Sequence, residues 1–457
     1  MKNNIEHKLT IRGWIIRLVL LMGLAVAGAA CASQTAIPSQ LLGVAGCDVS
    51  KVTITGVHWF RDSHGAWRVV GVITNNSSKA ISKVMTGVET YTKSDQPADQ
   101  GEDIAAYPYN LLPGAKAPFT AWIDREIPGL DHFKVEEDEC VLADSAERGS
   151  VQVHGGRMAL DDADAAQVTA ELVNPGTKAV LVNGLMAAVY DQAGALIAAD
   201  YVNVATRYLQ PGESGPVRAS LDLPPGGAQQ VKTYKFFMDA VVDQPAPLPL
   251  DISHDVKIIS HYTDKNGQFH LVGQITNPGK QELMTSLQAT VYTDSTRSSV
   301  ADAAFFNTVV PIQPGESLPF DLTGWGALNS TRGLWDQLAK QNAAISLRLE
   351  PFLTWSNTNQ VAKLSLSDGN VSINNQQALF TGKVQNNMSG RINAGVVIAV
   401  VRQKASGEIV ATGSQPLAIT DSAAPGQVLD YSITVQLPAN LDPAGLDTEI
   451  SAQGQQP

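Results

Sequence analysis

Histidine, cysteine and carboxylate side chains are the groups that could carry chemistry in this 457-residue chain, and they are scattered along it. No two histidines have the His-x-x-x-His spacing, and no cysteine stands at metal-ligand spacing from a histidine. His270 falls on the polar side of a predicted strand and is interpreted as a surface histidine. There is no Gly-x-Ser-x-Gly elbow, phosphate loop or dinucleotide fingerprint. The sequence therefore predicts no catalytic residues, no cofactor and no enzyme.

Acidic and aromatic residues are the remaining candidates for a binding site. The stretches at residues 161–164 and 136–139 are rich in Asp and Glu, which are calcium ligands, but neither has the full spacing of a calcium loop. Solvated acidic loops are the alternative interpretation. Trp59 and Trp325 lie in less regular stretches, where they are either exposed and suited to glycan or protein contact, or packed in a core. Trp67 alternates with Val69 and is expected in the core.

The elements that would position these side chains are organised by a repeated strand. Four copies end on an asparagine, with steps of 99, 103 and 109 residues between them: Asn75, Asn174, Asn277 and Asn386. Six and two positions before each asparagine the residue is apolar. Four positions before it the residue is small: Gly71, Ala170, Gly273 and Gly382. This period of two is typical of a half-buried β-strand.

A second landmark follows each asparagine after 37–39 residues, namely a Pro-Gly pair that begins at Pro113, Pro211, Pro314 and Pro425. Between the two landmarks, a second strand ends near a tyrosine in three copies: Tyr91, Tyr190 and Tyr292. The fourth copy has Val400-Val401-Arg402 at this point. A period near 100 residues is too long for a solenoid and suits an independent sandwich. We predict an all-β chain, a tandem array of four immunoglobulin-like β-sandwich domains.

The first 30 residues have the pattern of a secretory signal peptide. A positive region is followed by an apolar run at residues 18–30 that is too short for a comfortable membrane span. Cys31 comes directly after Gly28-Ala29-Ala30, which resembles a bacterial lipobox, although that pattern usually has leucine at the position of Gly28. In a lipobox the cysteine becomes the lipidated N-terminus. Ordinary signal cleavage, for example after Ala32, is the alternative.

Lipidation of Cys31 would anchor an exported protein to a membrane. The expected location is the cell envelope, on the outer side of the cytoplasmic membrane or at the cell surface. Removing residues 1–30 changes the formal net charge from −12 to −15. Such an acidic chain is a poor partner for nucleic acid or anionic lipid, so no nucleic-acid partner is expected.

The landmarks and the composition set the predicted domain boundaries. Residues 1–30 are the signal peptide, 31–46 a tether, and 47–149, 150–245, 247–360 and 361–457 the four sandwiches. A proline-rich linker at residues 244–249 is expected to be extended and semi-rigid, and to hold the two halves of the array apart. A short helix near residues 331–342 is expected to cap the third sandwich.

Two cysteines lie at the ends of the first predicted sandwich, Cys47 before its first strand and Cys140 near its last. If the ends of the sandwich lie close together, they form a disulfide, which suits an exported protein. Closing a loop of 93 residues would stabilise the domain by about 4 kcal/mol in the chain-entropy model. Two unpaired buried thiols are the alternative.

Taken together, these motifs resemble the FxLYD domain, an immunoglobulin-like or fibronectin-like sandwich of bacterial exported proteins and lipoproteins. The residues that carry the resemblance are the Gly-x-Ile-x-Asn strand, Val189-Tyr190-Asp191, and the turns at residues 209–213 and 312–320. The first copy has Leu112-Pro113-Gly114, and the fourth replaces the acidic turn by Ala424-Pro425-Gly426-Gln427. The resemblance implies the fold and the exported setting, and it implies no catalytic residues.

These observations lead to one main functional hypothesis and two alternatives. The main hypothesis is a lipid-anchored, non-enzymatic surface protein that acts as a spacer and protein-interaction array with an envelope protein or glycan as partner. The first alternative is a module for envelope glycan binding or calcium-dependent adhesion. The second is an enzyme with an acidic cleft between the second and third sandwiches.

Overall fold

The computed structural model describes residues 47–105, 111–143, 147–161, 164–202, 205–242, 255–266, 268–323, 344–351, 361–374, 376–439 and 441–456. These residues form antiparallel sheets that fall into four successive pairs, so the predicted all-β class is confirmed. The signal peptide with Cys31, the tether, the proline-rich linker, the predicted helix and Trp325 lie outside the described residues. None of the described segments forms a helix long and apolar enough to cross a membrane.

The first sandwich pairs a sheet of order β1-β2-β5 with a sheet of order β4-β3-β6. Its strands are β1 (Val52–Arg61), β2 (Trp67–Asn75), β3 (Ile81–Thr92), β4 (Pro97–Ala105), β5 (Lys116–Ile123) and β6 (Leu130–Leu142). Buried Val69 and Phe119 of one sheet share a core with Val84 and Val88 of the other. Trp67 is half-buried at the edge of this core.

The second sandwich pairs β12-β8-β7 with a sheet in which β10, β11 and β13 all pair with β9. Its strands are β7 (Gln152–Asp161), β8 (Ala165–Val173), β9 (Val180–Tyr190), β10 (Leu196–Tyr201), β11 (Tyr208–Leu209), β12 (Ser214–Asp222) and β13 (Thr233–Val242). Residues just before β7 also belong to it, because the Gly149 amide donates to Ala240 O at 2.8 Å.

The third and fourth sandwiches repeat this plan. In the third, sheet β14-β15-β18 faces β17-β16-β19, with strands β14 (Val256–Thr263), β15 (Phe269–Thr276), β16 (Thr285–Tyr292), β17 (Val300–Asn307), β18 (Ser317–Thr323) and β19 (Ile345–Pro351). In the fourth, β21-β22-β25 faces β20-β26-β23-β24, with strands β20 (Val361–Lys363), β21 (Ser365–Asn374), β22 (Gln377–Gln385), β23 (Ala394–Gln403), β24 (Ile409–Pro416), β25 (Val428–Gln436) and β26 (Leu446–Gln455). The repeated strands β2, β8, β15 and β22 are each central in a three-stranded sheet.

A disulfide joins Cys47 to Cys140, the pair at the two ends of the first sandwich. Their Cα atoms are 5.4 Å apart, within the usual range for a disulfide. The Cys47 amide also donates to Cys140 O at 3.2 Å. The covalent link therefore continues a backbone contact that already brings the start of the domain onto β6.

The repeated asparagine closes two turns at the same point of every sandwich. Asn75 Nδ2 donates to Lys79 O and Leu111 O, both at 2.8 Å, and Asn75 Oδ1 accepts from the Ser77 amide at 2.8 Å. Asn174, Asn277 and Asn386 make the same set of three bonds, and all four side chains are buried. The Pro-Gly glycine donates to the carbonyl oxygen of the same asparagine in each copy. The two sequence landmarks, the asparagine and the Pro-Gly pair, are thus hydrogen-bonded to each other in every sandwich.

The small residue at the centre of each repeated strand makes room for its partner on the next strand. Gly71 pairs with Phe119, and a Cβ atom added at Gly71 would lie 2.5 Å from Phe119 Cε1. Gly273 and Gly382 stand in the same relation to Phe320 and Tyr431. In the second sandwich, the pair is Ala170 with Val217. A larger central residue therefore goes with a smaller partner.

Replacing Gly71 by alanine is expected to destabilise the first sandwich by about 1–3 kcal/mol, because overpacking forces a buried ring from its rotamer. The same change made together with Phe119→Val recreates the Ala170–Val217 pair. In a double-mutant cycle measured by urea unfolding, the alanine should cost less in the Phe119→Val background. Equal costs in the two backgrounds would contradict the size-matching interpretation.

Candidate functional site

The sandwiches pack against one another, and the prediction that the linker at residues 244–249 holds the halves apart is wrong. From Cys47 onward the chain is one compact unit. At each junction, the outer face of the sheet that contains the repeated strand is covered by the following sandwich. The candidate sites lie at these junctions, because polar side chains become buried there.

The first junction gathers three carboxylates around one arginine. Arg68 lies 3.0 Å from Asp62, 3.1 Å from Asp200 and 3.1 Å from Asp222, and the last two belong to the second sandwich. Burial raises the pKa of Asp200 even though Arg68 opposes the shift. His58 Nε2 also lies 2.9 Å from Ile197 O, across the same junction.

This junction also contains a group of potential metal ligands. Atoms of Asp62, His64 and Asp222 lie within 4.8 Å of one another. However, the Arg68 guanidinium already pairs with both carboxylates, and Asp62 Oδ1 accepts from the His64 and Ala66 amides. Oxygens of both carboxylates are therefore already engaged by Arg68 and by backbone amides, and we assign no metal to the group.

The second junction is a buried polar network centred on Glu350. Its carboxylate accepts from the Arg207 and Tyr208 amides of the second sandwich, with Arg207 N at 2.7 Å, and from Gln288 Nε2 at 3.0 Å. Arg348 Nη1 pairs with Glu350 at 2.6 Å. Both side chains are at least nine-tenths buried. The carboxylate is thus engaged with donors from both sandwiches and connects them.

A second contact at this junction links the repeated strand to the tyrosine landmark. Tyr292 hydroxyl donates to Glu171 Oε1 at 2.6 Å, and Thr169 hydroxyl donates to Val300 O at 2.8 Å. Burial, reinforced by Glu171, raises the pKa of Tyr292, so the phenol stays the donor. Polar residues that alternate along β8 thus face another sandwich and not water.

The third junction contains a histidine between two carboxylates. His270 Nδ1 lies 2.7 Å from Asp321 Oδ2, and its Nε2 lies 3.7 Å from Asp264 Oδ2. The Tyr262 ring stacks on the imidazole, with centroids 4.7 Å apart and planes 7° from parallel. Tyr262 hydroxyl donates across the junction to Gln436 O at 2.8 Å. The cluster is fixed on β14, β15 and β18 by strand register.

His270 corrects the sequence interpretation, because only 3% of its surface is exposed. The alternation of β15 correctly places it outside the core of its own sandwich, but the fourth sandwich then covers that face. Asp264 and Asp321 lie six residues before and 51 residues after it. A separation of this kind gives no local motif, so the cluster could not be found by scanning for short patterns.

A cavity of about 340 Å³ opens beside this cluster, between the third and fourth sandwiches. His270 and Asp321 line it from one side, and Thr412 and Ser414 of β24 from the other. A hydrolytic triad would need a hydroxyl within hydrogen-bond reach of the histidine. Among the described residues, His270 Nε2 has no hydrogen-bond partner.

The two acidic stretches of the calcium hypothesis lie in different parts of the fold. Residues 136–139 lie within β6. Asp164 has a positive φ of 54°, and its carboxylate accepts from the Gly226 and Ala228 amides. Asp162 lies outside the described residues.

Aromatic exposure is concentrated in the first sandwich. Trp59 is 37% exposed and Trp122 is 47% exposed. Trp59 leans on Phe133, with ring centroids 5.6 Å apart, while Trp122 lies beside the Arg68 guanidinium at 5.6 Å. The sequence pattern indicates Trp59 but not Trp122, because the regular alternation of β5 does not reveal which face the next sandwich covers.

The fold and the junctions define the class of protein, an all-β array of packed antiparallel sandwiches. Comparisons with protein-family models and with curated proteins give no match to this chain.

The pKa of Asp321 is raised, chiefly by burial, with His270 opposing the shift. A raised carboxyl pKa means that the folded state binds the proton more tightly than the unfolded state. The contribution of Asp321 to stability should therefore fall as pH rises from its ordinary value of 3.8 through the raised value. We expect the free energy of unfolding of Asp321→Asn, measured against wild type from pH 4 upward, to depend less steeply on pH. A steeper dependence in the variant would contradict the shift.

Proposed function

We propose that this protein is a lipid-anchored, non-enzymatic interaction array of the cell envelope, built from FxLYD-type sandwiches. Its docking face is the outer side of the last β21-β22-β25 sheet, and the partner is a separate envelope protein that presents a β-sheet face. The observation that supports the docking face is a repeated mode of packing, in which the equivalent face of every earlier sandwich is covered by the next one.

The repeated packing can be followed at the position seven residues before each landmark asparagine. Arg68 pairs with Asp200 at 3.1 Å, and Gln167 donates to Asp302 at 3.5 Å. Asp200 and Asp302 each stand ten residues after the tyrosine that ends the second strand of the following copy, Tyr190 or Tyr292. The two junctions therefore use equivalent positions.

The third junction follows the same rule. His270 stands seven residues before Asn277, and Thr412 stands ten residues after Arg402, which replaces the tyrosine in the fourth copy. His270 and Thr412 line the same cavity from opposite sandwiches. Three successive junctions thus place the outer face of one repeated strand against the equivalent strand of the next domain, which is β10, β17 or β24.

In the last sandwich this face is exposed among the residues that the structure describes. Leu379 is the equivalent of His270, and Leu379 is 39% exposed where His270 is 3% exposed. Thr381 and Lys383 continue the same row along β22. Lys383 pairs with Asp368 at 2.8 Å, and both are exposed. The face is mostly polar, as is the second junction.

Site-specific cross-linking tests this proposal. A photoreactive residue at Leu379 in the full mature chain should give one dominant adduct with envelope extract, and the cross-linked partner peptide should lie in a β-sheet. The same residue at Ala405, an exposed turn position of the same sandwich, is the control. Leu379→Arg should abolish binding of that partner. Equal adducts at both positions, or an adduct only with a second copy of this chain, would overturn the proposed docking.

Anchoring is tested separately at Cys31. We expect the wild-type protein to incorporate labelled palmitate and to remain with membranes after a high-salt wash, because two or more acyl chains give stable attachment. Cys31→Ser should lose both properties, whereas Cys47→Ser should keep them. Labelling that persists in Cys31→Ser would reject lipidation at this residue.

A further inference from the structure

We propose that the cavity between the third and fourth sandwiches is a binding site for a single sugar ring or a polyol of similar size. This goes beyond the docking face on the last sheet, which the cavity adjoins at β25, because Thr434 lines the cavity and pairs with Leu379. The inference depends on the size of the cavity, on the chemistry of its lining and on Asp321, the one carboxylate among its described lining residues.

The cavity has the size of a small-ligand site. Its volume of about 340 Å³ lies at the lower end of the range of ligand pockets, roughly 300–1,000 Å³. Two sandwiches contribute to it, and their relative position is fixed by the Tyr262–Gln436 hydrogen bond and by a shared apolar cluster. That cluster includes Val396, Ile398 and Val400 of β23 beside the core of the third sandwich. The walls are thus pre-formed.

The lining offers hydrogen-bond donors and acceptors and carries no lysine or arginine. Its polar side chains among the described residues are Gln268, His270, Asp321, Thr323, Thr412, Ser414, Thr434 and Gln436. Hydroxyl and amide groups both donate and accept, whereas a carboxylate only accepts. A ligand that fits must therefore carry several groups that do both, which is the property of a polyol. An anion would meet the carboxylates of Asp264 and Asp321 without a compensating cation from the lining.

Asp321 supplies the point of highest affinity. Its side chain is 13% exposed, its Oδ2 lies 2.7 Å from His270 Nδ1, and its Oδ1 has no hydrogen-bond partner among the described groups. Oδ1 is closed to solvent, so a ligand hydroxyl reaches the carboxylate through the exposed part of the side chain, where a hydrogen bond to a charged acceptor is stronger than one to a neutral group. Phe306 gives the lining an apolar surface against which the C–H face of a ring can pack, and its own ring is supported by Phe320 at 6.1 Å.

A protonated amine is the competing ligand, because the carboxylate would also accept from it. The two classes are separable, since an amine depends on charge and a sugar on hydroxyl groups. Asp321→Asn keeps the shape and one acceptor oxygen while it removes the charge. A Ser414→Trp change fills the exposed mouth of the cavity without altering the buried cluster.

The experiment is ligand-observed NMR on the full mature chain with Cys31→Ser. Glucose, galactose and N-acetylglucosamine are the sugar probes, and ethanolamine is the amine probe. We expect saturable binding of at least one sugar. Asp321→Asn should weaken it about tenfold or more, because bonds to charged groups are the strong ones. Ser414→Trp should abolish it, and Ala405→Trp, at an exposed turn, should leave it unchanged.

The outcomes that would overturn the proposal are equally definite. Either no sugar binds the wild-type chain, or only ethanolamine binds, or sugar binding survives in Ser414→Trp while thermal unfolding shows that variant to be folded. Cross-linking at Leu379 does not depend on this cavity. A negative result here therefore leaves the docking proposal intact, and a negative cross-linking result leaves the sugar site intact.

Discussion

Replacing Glu350 by alanine is expected to lower the free energy of unfolding by about 3–5 kcal/mol, the usual cost of removing one partner of a buried ion pair. Arg348 would keep its charge in the second junction without its closest carboxylate, which lies 2.6 Å away in the native protein. The Arg207 and Tyr208 amides would lose their acceptor as well. The substitution should therefore destabilise the second and third sandwiches together.

Calorimetry and small-angle X-ray scattering measure this effect. The wild-type second and third sandwiches should unfold together, whereas Glu350→Ala should give separate transitions and a larger radius of gyration. The control is Glu147→Ala, which removes an exposed partner of Lys178. Exposed pairs contribute about 0–1 kcal/mol, so this variant should behave like wild type. A Glu350→Ala protein with unchanged scattering and less than about 1 kcal/mol of destabilisation would show that the network does not hold the junction.

Replacing Asn75 by alanine is expected to destabilise the first sandwich by roughly 2–4 kcal/mol. Three hydrogen bonds are lost, and the carbonyl groups of Lys79 and Leu111 lose a buried donor, which costs more than the loss of a solvated bond. The neighbouring Asn76 is the matched control, because it is exposed and makes one side-chain bond to Thr53. Asn76→Ala should change stability by less than about 0.5 kcal/mol.

Hydrogen exchange resolves the effect to one domain of this multidomain chain, where a single unfolding curve would not. Amides of β2 and β5 should exchange faster in Asn75→Ala and remain protected in Asn76→Ala. The second, third and fourth sandwiches keep their own asparagines and should change little. If Asn75→Ala were as protected as wild type, the contact between Asn75 and the turn at Pro113 would not depend on the asparagine side chain.

The fold could be predicted from the sequence because the same physical constraint recurs four times. Each sandwich is held together by contacts of its own, such as the apolar row around Gly71, the buried Asn75 and the turn at Pro113. Their spacing can therefore be recognised within about 40 residues of sequence. What covers the outer face of a strand is not encoded in that spacing. His270 and Glu171 occupy polar positions of an alternating strand and are nevertheless buried by the following sandwich.

The junction site could not be predicted for a related reason. Asp264, His270 and Asp321 come together only through the register of three strands, and the cavity needs β24 of the next sandwich as its other wall. The proline-rich linker at residues 244–249 led to the prediction of separated halves, because the stiffness of a linker can be inferred from its own sequence. The packing of the sandwiches is instead decided by the side chains on their faces, such as Glu350 at the second junction and Ile398 at the third.

The chemical difference between the junctions also fixes the order of the domains. The second junction buries Thr169 and Glu171 against polar partners, whereas the third places Val396, Ile398 and Val400 beside the third sandwich. A chain with the third sandwich deleted would press the carboxylate of Glu171 onto those aliphatic side chains, which offer it no donor. Proteins with the sandwiches in another order would therefore bring polar and aliphatic faces together at their junctions. The order of the four sandwiches is thus determined by the side chains on their faces.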